Sequence, residues 1–198
     1  MGLTGAGGPF RNSRRTGLVP ALALLLSACA SGPPLAVIDL TPAKPPTARP
    51  LRAQIRIAAP VATLDLDSDR ILVRDGQNLA LLGGVRWPQQ LSSLFRARLV
   101  EAFQNAKLAR FLDGGAATAE YELDIDLRAF ELDAMTNEAH VEVAARIVSL
   151  RDGLVTAVEI LSAREPVANS DPGAVVAALN QASSIMMTRI VAFVAKRL

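Results

Sequence analysis

The chain has 198 residues, of which 51% are hydrophobic and 4% aromatic, and it carries 21 basic and 19 acidic side chains. Its single cysteine excludes an internal disulfide, and a single histidine leaves too few ligands for a four-ligand cysteine–histidine metal site. The low aromatic content argues against a surface that stacks bases or sugars.

The N-terminal region has the layout of a bacterial secretory signal. A basic patch of Arg11, Arg14 and Arg15 precedes the apolar run Leu18–Leu26, and two small residues follow this run. At ~1.5 Å per helical residue the run reaches roughly 14 Å, which is too short for a hydrocarbon core of about 30 Å. Residues 1–28 are therefore predicted to be a signal peptide.

The only cysteine ends this signal. The stretch Leu26–Cys29 resembles the lipobox of bacterial lipoproteins, which implies acylation of the Cys29 thiol and cleavage just before it. No base accompanies Cys29 in sequence, so a catalytic thiol is not predicted. An ordinary signal with an incidental cysteine remains the alternative. Because Ala30 follows the cysteine where an inner-membrane lipoprotein usually has aspartate, we expect the outer membrane, facing the periplasm.

A proline-rich segment follows the cysteine. Six of the twelve prolines fall between Pro33 and Pro50. Such a segment is stiff and extended, so residues 29–50 are predicted to be a tether of up to roughly 60 Å, at ~3.1 Å per residue. Ala36–Leu40 interrupts the prolines and fits a first strand, which would shorten the tether. Residues 51–198 are then the only domain.

Removing the three signal arginines from the 21 basic residues leaves 18 against 19 acidic ones. The mature chain therefore has no basic field for nucleic acid, and nucleic acid is not predicted as a partner.

The first part of the domain predicts short strands and one helix. Alternating apolar residues over Leu51–Ile57 indicate a strand, and Asp69–Gly84 reads as two strands about the turn Asp75–Asn78. Residues 87–106 predict an amphipathic helix, with Pro88 at its first position.

The second part predicts a meander and a long helix. Residues 120–133 alternate, with Tyr121 to Ala129 in step on one face and acidic residues on the other, as in a sheet with one solvated face. Residues 140–150 continue the pattern, Asp152-Gly153 predicts a hairpin turn, and Asp171-Pro172 begins the last helix. The predicted fold is an α+β two-layer sandwich, in which two amphipathic helices cover one face of a mainly antiparallel sheet.

Candidate chemical sites fail on spacing. Asp65, Asp67 and Asp69 alternate like a calcium loop, but Arg70 and Gly76 stand where that loop needs glycine and glutamate. The acidic row of residues 120–126 lies on one strand face, which does not suit paired catalytic carboxylates. His140 has no nucleophile or second histidine near it in sequence. No catalytic residue, metal or cofactor is predicted, and the protein is not expected to be an enzyme.

Residues 57–106 resemble the ABC-type transport auxiliary lipoproteins, the PqiC-like group associated with MCE proteins. The resemblance is carried by Asp69-Arg70-Ile71, Val73-Arg74, Leu79–Gly84, Arg86-Trp87 and Leu99–Phe103.

The resemblance implies a non-catalytic subunit that accompanies an ATPase, a permease and an MCE substrate-binding protein in lipid transport between two membranes. It also implies a docking role on the periplasmic side, and ring-like homo-oligomers for some members. Charged residues at strands and turns in the resembling block, together with its one tryptophan, are the predicted partner-binding set: Asp69, Arg70, Arg74, Asp75, Arg86 and Trp87. The alternative is that these charges form local ion pairs and set the turns, and that Trp87 is a hydrophobic staple at the helix start.

Two other functions fit the same sequence. A lipid-binding carrier would enclose an acyl chain between sheet and helices, and a cavity there would favour it. A structural lipoprotein would assist outer-membrane assembly. Neighbouring genes for an ATPase, a permease and an MCE protein would distinguish the transport role from both.

Overall fold

The computed structural model describes residues 34–108, 111–112 and 118–198, together with Gly2 and Gly8. Apart from these two glycines, the predicted signal peptide lies outside the described residues, and so does Cys29. Pro34–Leu198 forms one compact unit.

The described residues form ten strands and two helices. The strands are β1 (Ala36–Val37), β2 (Ile55–Ile57), β3 (Val61–Ala62), β4 (Leu72–Asp75), β5 (Asn78–Leu81), β6 (Val85–Arg86), β7 (Phe111–Leu112), β8 (Tyr121–Asp133), β9 (Glu138–Ser149) and β10 (Val155–Pro166). The helices are α1 (Leu91–Asn105) and α2 (Pro172–Arg197).

The main sheet is built on a meander of three long strands. β8, β9 and β10 pair antiparallel through short turns, as predicted. The other edge of β8 pairs in parallel with β2, β3 and β4 in turn, while β5 and β7 extend β4 and β2. Parallel pairs need a crossover connection, and α1 lies in the crossover between β4 and β8. The mainly antiparallel sheet is confirmed, although the parallel strands were not predicted.

A β-bulge changes the predicted faces of β8. The pairing with β9 passes from Leu127–Val143 to Ala129–Glu142, so Arg128 is an extra residue. A bulge reverses the facing of every later side chain. Strict alternation predicted that Ala129 shares the core face with Leu127, and this prediction is wrong because of the bulge. Phe130 takes that face and is 1% exposed.

Local turn and cap signals in the second half of the domain are confirmed. Gly153 has φ +74° in the turn before β10, where glycine avoids a Cβ clash. Asp171 is the N-cap of α2, and its Oδ2 accepts from the Gly173 N–H at 2.9 Å. Pro172 follows as the first helical residue.

The predicted start of α1 is wrong. The helix begins at Leu91, and its N-cap, Gln90, makes no side-chain capping bond. Asp67 caps it instead from a preceding loop, since its Oδ1 accepts from the Ser92 N–H at 3.0 Å. This cap comes from 25 residues earlier, so a local pattern around Pro88 could not reveal it.

The described part of the predicted tether packs against the domain. Leu40 and Ala43 are 1% and 0% exposed. The Thr41 N–H donates to Asn180 Oδ1 at 2.6 Å, and Asn105 Nδ2 donates to the Ala43 carbonyl at 2.8 Å. Residues 34–50 therefore belong to the compact unit, and only residues 29–33 of the predicted tether lie outside the described chain.

The core lies between the sheet and the two helices. Its largest fully buried side chains include Trp87, Phe95, Phe103 and Phe130. By length and composition α2 could cross a membrane, but more than half of its most apolar window is buried inside the domain. The predicted α+β two-layer sandwich is confirmed.

Candidate interaction surface

The six predicted partner-binding residues have different surroundings. Asp69 and Arg86 form an ion pair, in which Arg86 Nη1 donates to Asp69 Oδ2 at 3.0 Å. Their side chains are 40% and 39% exposed. The Asp69 carbonyl also accepts from the Trp87 N–H at 2.8 Å, which fixes the loop before β4 against β6. These two charges therefore set a turn and still reach solvent.

Arg70 is half-buried and ties the same loop to the end of β5. Its Nη2 donates to the Leu82 carbonyl at 3.2 Å, and its backbone N–H donates to Ser68 Oγ at 3.1 Å. Its Nε is buried and has no hydrogen-bond partner among the described residues, so part of the guanidinium group lies inside the domain.

Trp87 belongs to the core. It is 1% exposed, and its ring meets Phe130 edge-on with the centroids 5.8 Å apart. Because α1 begins at Leu91, Trp87 lies too far before the helix for the staple position. Trp87 therefore presents almost no surface to a partner. It is a core residue because the bulge in β8 turns Phe130 toward it.

Arg74 is held by a nearly buried carboxylate. Two of its nitrogens, Nε and Nη2, donate to the two carboxylate oxygens of Glu131, the second at 3.0 Å. The Glu131 side chain is 4% exposed and that of Arg74 is 40% exposed. The hydrogen bonding of Arg74 to the Glu131 carboxylate, which accepts, raises the pKa of Arg74. Asp75 is the next residue and is exposed at the end of β4.

Glu131 belongs to a row of polar groups on the solvated face of the sheet. His140 lies opposite Glu131 on β9, and its Nε2 is 3.1 Å from Ser162 Oγ on β10. Burial, followed by the charge of Arg164, lowers the pKa of His140. Arg164 also pairs with Asp133 at 3.2 Å. The row links four strands by charge and hydrogen bonds.

Replacing Arg74 by methionine should cost about 2–4 kcal/mol of unfolding free energy, because it leaves a buried carboxylate without its partner. Chemical denaturation would measure the loss. The matched control is Arg56→Met, which breaks the more exposed ion pair between Arg56 and Glu122. Glu122 lies on β8, as Glu131 does, and the loss of this pair should cost about 0–1 kcal/mol of unfolding free energy. Equal losses in both variants would contradict this role for Glu131.

Glu131 and Arg164 were not among the residues predicted from the sequence. Strict alternation placed Glu131 on the core face, where a charge would be costly. The sequence did contain a signal of the bulge. Apolar residues stand at odd-numbered positions up to Ala129, whereas Phe130 is apolar and Glu131 is charged. Arg164 carried no local signal, since its partners lie on β8 and β9.

The carboxylates that resembled a calcium loop are engaged elsewhere. Asp67 caps α1, and Asp69 pairs with Arg86. Within the described ranges no group of three or more His, Cys, Asp or Glu side chains is placed to hold a metal ion.

Comparison with known proteins gives both sequence and fold relatives. A family model described as the ABC-type transport auxiliary lipoprotein component matches residues 37–191. A Bradyrhizobium diazoefficiens protein is 30% identical over 141 residues, which is 69% of this chain and 38% of that relative. A Xanthomonas campestris crystal structure of the DUF330 family has a TM-score of 0.74 and 29% identity, over 82% of this chain and 96% of that one.

A structure from Chlamydia trachomatis covers 74% of this chain and 98% of its own, with a TM-score of 0.53 and 11% identity, and it shows the fold alone. This chain spans well under half the length of its Bradyrhizobium relative. The family model, by contrast, covers nearly all of the compact unit Pro34–Leu198. On that match the chain belongs to the ABC-type transport auxiliary lipoprotein family.

Proposed function

We propose that this protein is a non-catalytic, lipid-anchored periplasmic subunit that docks the MCE protein of an ABC-type lipid transporter. Membership of its family makes it an auxiliary lipoprotein of the cell envelope. The observation that carries the docking role is that the match covers nearly the whole compact unit, in which aromatic side chains pack the core and charged side chains such as Asp69 and Arg86 reach solvent. Ala30 after the lipobox cysteine supports the outer membrane as its location.

The filled core favours a docking role over a carrier that encloses an acyl chain. Such a carrier needs space between sheet and helices, where four bulky aromatic side chains pack. Trp87 and Phe95 both contact the ring of Phe130 edge-on, at centroid distances of 5.8 and 6.5 Å. This packing supports a contact with partners at the outer surface of the domain.

Three of the predicted residues remain suited to that contact. Asp69 and Arg86 keep about 40% of their side chains exposed, and Asp75 is exposed at the hairpin between β4 and β5. Arg74 is as exposed as Arg86, but it is bound to the nearly buried Glu131. Arg70 bonds the Leu82 carbonyl, and Trp87 lies in the core. We assign the docking contact to the three accessible charges, with ABC permease and ATPase subunits reached through the MCE protein.

Reversing both signs with Asp75→Lys and Arg86→Glu should weaken capture of the MCE protein at least about tenfold, because interfacial charges that lose water cost ~2–5 kcal/mol when mispaired. Folding should change little, since exposed ion pairs contribute about 0–1 kcal/mol. The measurement is a pull-down of the MCE protein with the purified full chain, with the melting temperature followed in parallel.

The matched control reverses another exposed neighbouring pair, Arg151→Glu with Asp152→Lys, in the turn before β10. It should capture the MCE protein as the unmodified chain does. Undiminished capture by the Asp75/Arg86 variant would remove this surface from the proposal, and so would an equal loss in the control.

A further inference from the structure

The outermost long strand of the sheet has an edge that no other strand of the described residues covers. In the described part of the chain β10 pairs only with β9, although it is 12 residues long. The free edge of a strand offers unpaired backbone N–H and C=O groups to another strand. Proteins usually protect such an edge with charges, proline or a bulge. Here the bulge lies at one end, between Val155 and Ala157, and Pro166 lies at the other.

The middle of this edge is apolar and exposed. Val158 and Ile160 point to the solvated face, and they are 56% and 59% exposed. The next residue on that face, Ser162, is uncharged. An exposed apolar strip on an unpaired strand usually marks an interaction site.

The other side of the edge carries complementary charges. Arg189 of α2 donates to the Ser162 carbonyl, and with Lys196 it lines a groove beside Glu159 and Leu161. Within the described residues neither Glu159 nor Lys196 has a salt-bridge partner. The helix side of this edge therefore presents one acidic side chain from β10, Glu159, close to two basic side chains from α2.

We propose that two copies of the chain pair antiparallel through β10, about a two-fold axis at Ile160. A two-fold interface brings the same patch of each copy together, so it must be self-complementary. In this register Ile160 faces Ile160 of the second copy, and Val158 faces the uncharged Ser162. No like charges meet along the apolar strip.

The same register also brings opposite charges together on the side of the sheet that α2 covers. Glu159 lies opposite Leu161 of the second copy, beside that copy's Arg189 and Lys196. The symmetry repeats this contact, so two acidic side chains enter two basic grooves. This pairing is independent of the transport role and would remain if the docking proposal failed.

Cysteine cross-linking tests the register. Directly opposite residues of an antiparallel pair have Cα atoms about 4.5 to 5.5 Å apart, within the ~4.4–6.8 Å that a disulfide needs. Ile160→Cys in the full chain should therefore form a covalent dimer on mild oxidation in membranes. Val158→Cys is equally exposed, but its symmetry mate lies four residues along, roughly 13 Å away, and it should stay monomeric on a non-reducing gel.

The unmodified chain, in which Cys29 is the only cysteine, reports any cross-linking through that residue. Absence of the Ile160→Cys dimer, or equal dimer from Val158→Cys, would overturn the proposal.

A charge exchange tests the contact by a second measurement. Glu159→Arg and Arg189→Glu should each raise the dimer dissociation constant of the detergent-solubilised full chain about tenfold, measured by sedimentation equilibrium. The double variant restores opposite charges and should return to within about threefold of the unmodified chain. Glu159 is exposed, so its replacement does not threaten folding. Single variants that associate normally, or a double variant weaker than both, would exclude this interface.

Discussion

Trp87→Ala should lower the free energy of unfolding by about 3–5 kcal/mol, the usual cost of removing a large aromatic side chain from a core. Trp87 is 1% exposed and packs edge-on against Phe130, so its removal opens a cavity between the start of α1 and the bulged part of β8. Urea or guanidinium denaturation of the purified chain would measure the loss.

Leu64→Ala is the matched control, because Leu64 is an apolar residue of the same block and is 94% exposed. Its replacement should change stability by less than about 0.5 kcal/mol. If Trp87→Ala were as stable as this control and yet failed to capture the MCE protein, Trp87 would be a partner contact and its core role would be wrong.

Cys29→Ser should abolish acylation and release the protein from the membrane. Each buried CH₂ of an acyl chain contributes ~0.8 kcal/mol, and one chain alone binds a membrane only marginally, so two or three are needed for firm attachment. Serine has no thiol to accept the diacylglycerol. Labelling cells with a palmitate analogue should mark the unmodified chain and leave Cys29→Ser unmarked.

Fractionation of the same cells gives the second readout. The unmodified chain should follow outer-membrane fractions in a density gradient, and Cys29→Ser should leave the membrane. Ser31→Ala, two residues beyond the cysteine, should behave as the unmodified chain. Equal labelling of all three would end the lipoprotein interpretation, and recovery wholly in inner-membrane fractions would refute the sorting expectation from Ala30.

The elements that were predicted well depend on local patterns. Residues 140–150 alternate with period two, and Val141, Val143, Ala145 and Ile147 of β9 are all fully buried. The turn at Gly153 depends on a left-handed backbone, which glycine adopts easily. The cap at Asp171 depends on a side chain that bonds the first turn of its own helix. Such signals involve residues close in sequence, so they can be read before the fold is known.

The surroundings of the six candidate residues could be predicted only in part, because charge and spacing do not show which side chains are held by a buried partner. Asp69, Arg86 and Asp75 reach solvent, whereas Arg74 is committed to Glu131 and Trp87 to Phe130. Both partners lie on β8, more than 40 residues later in the chain. A pattern read over a few residues cannot identify contacts at that separation.

The sequence by itself determined the α+β class, the long meander and the amphipathic helices, since periods of two and 3.6 residues dictate which face each element buries. Only the tertiary structure decided the parallel strands along β8, the start of α1 and the packing of residues 34–50 over the helices. Each of these depends on a contact between distant segments, such as Asp67 with Ser92 or Thr41 with Asn180. Such contacts form because folding must satisfy buried backbone groups and fill the core, and this requirement acts on the whole chain at once.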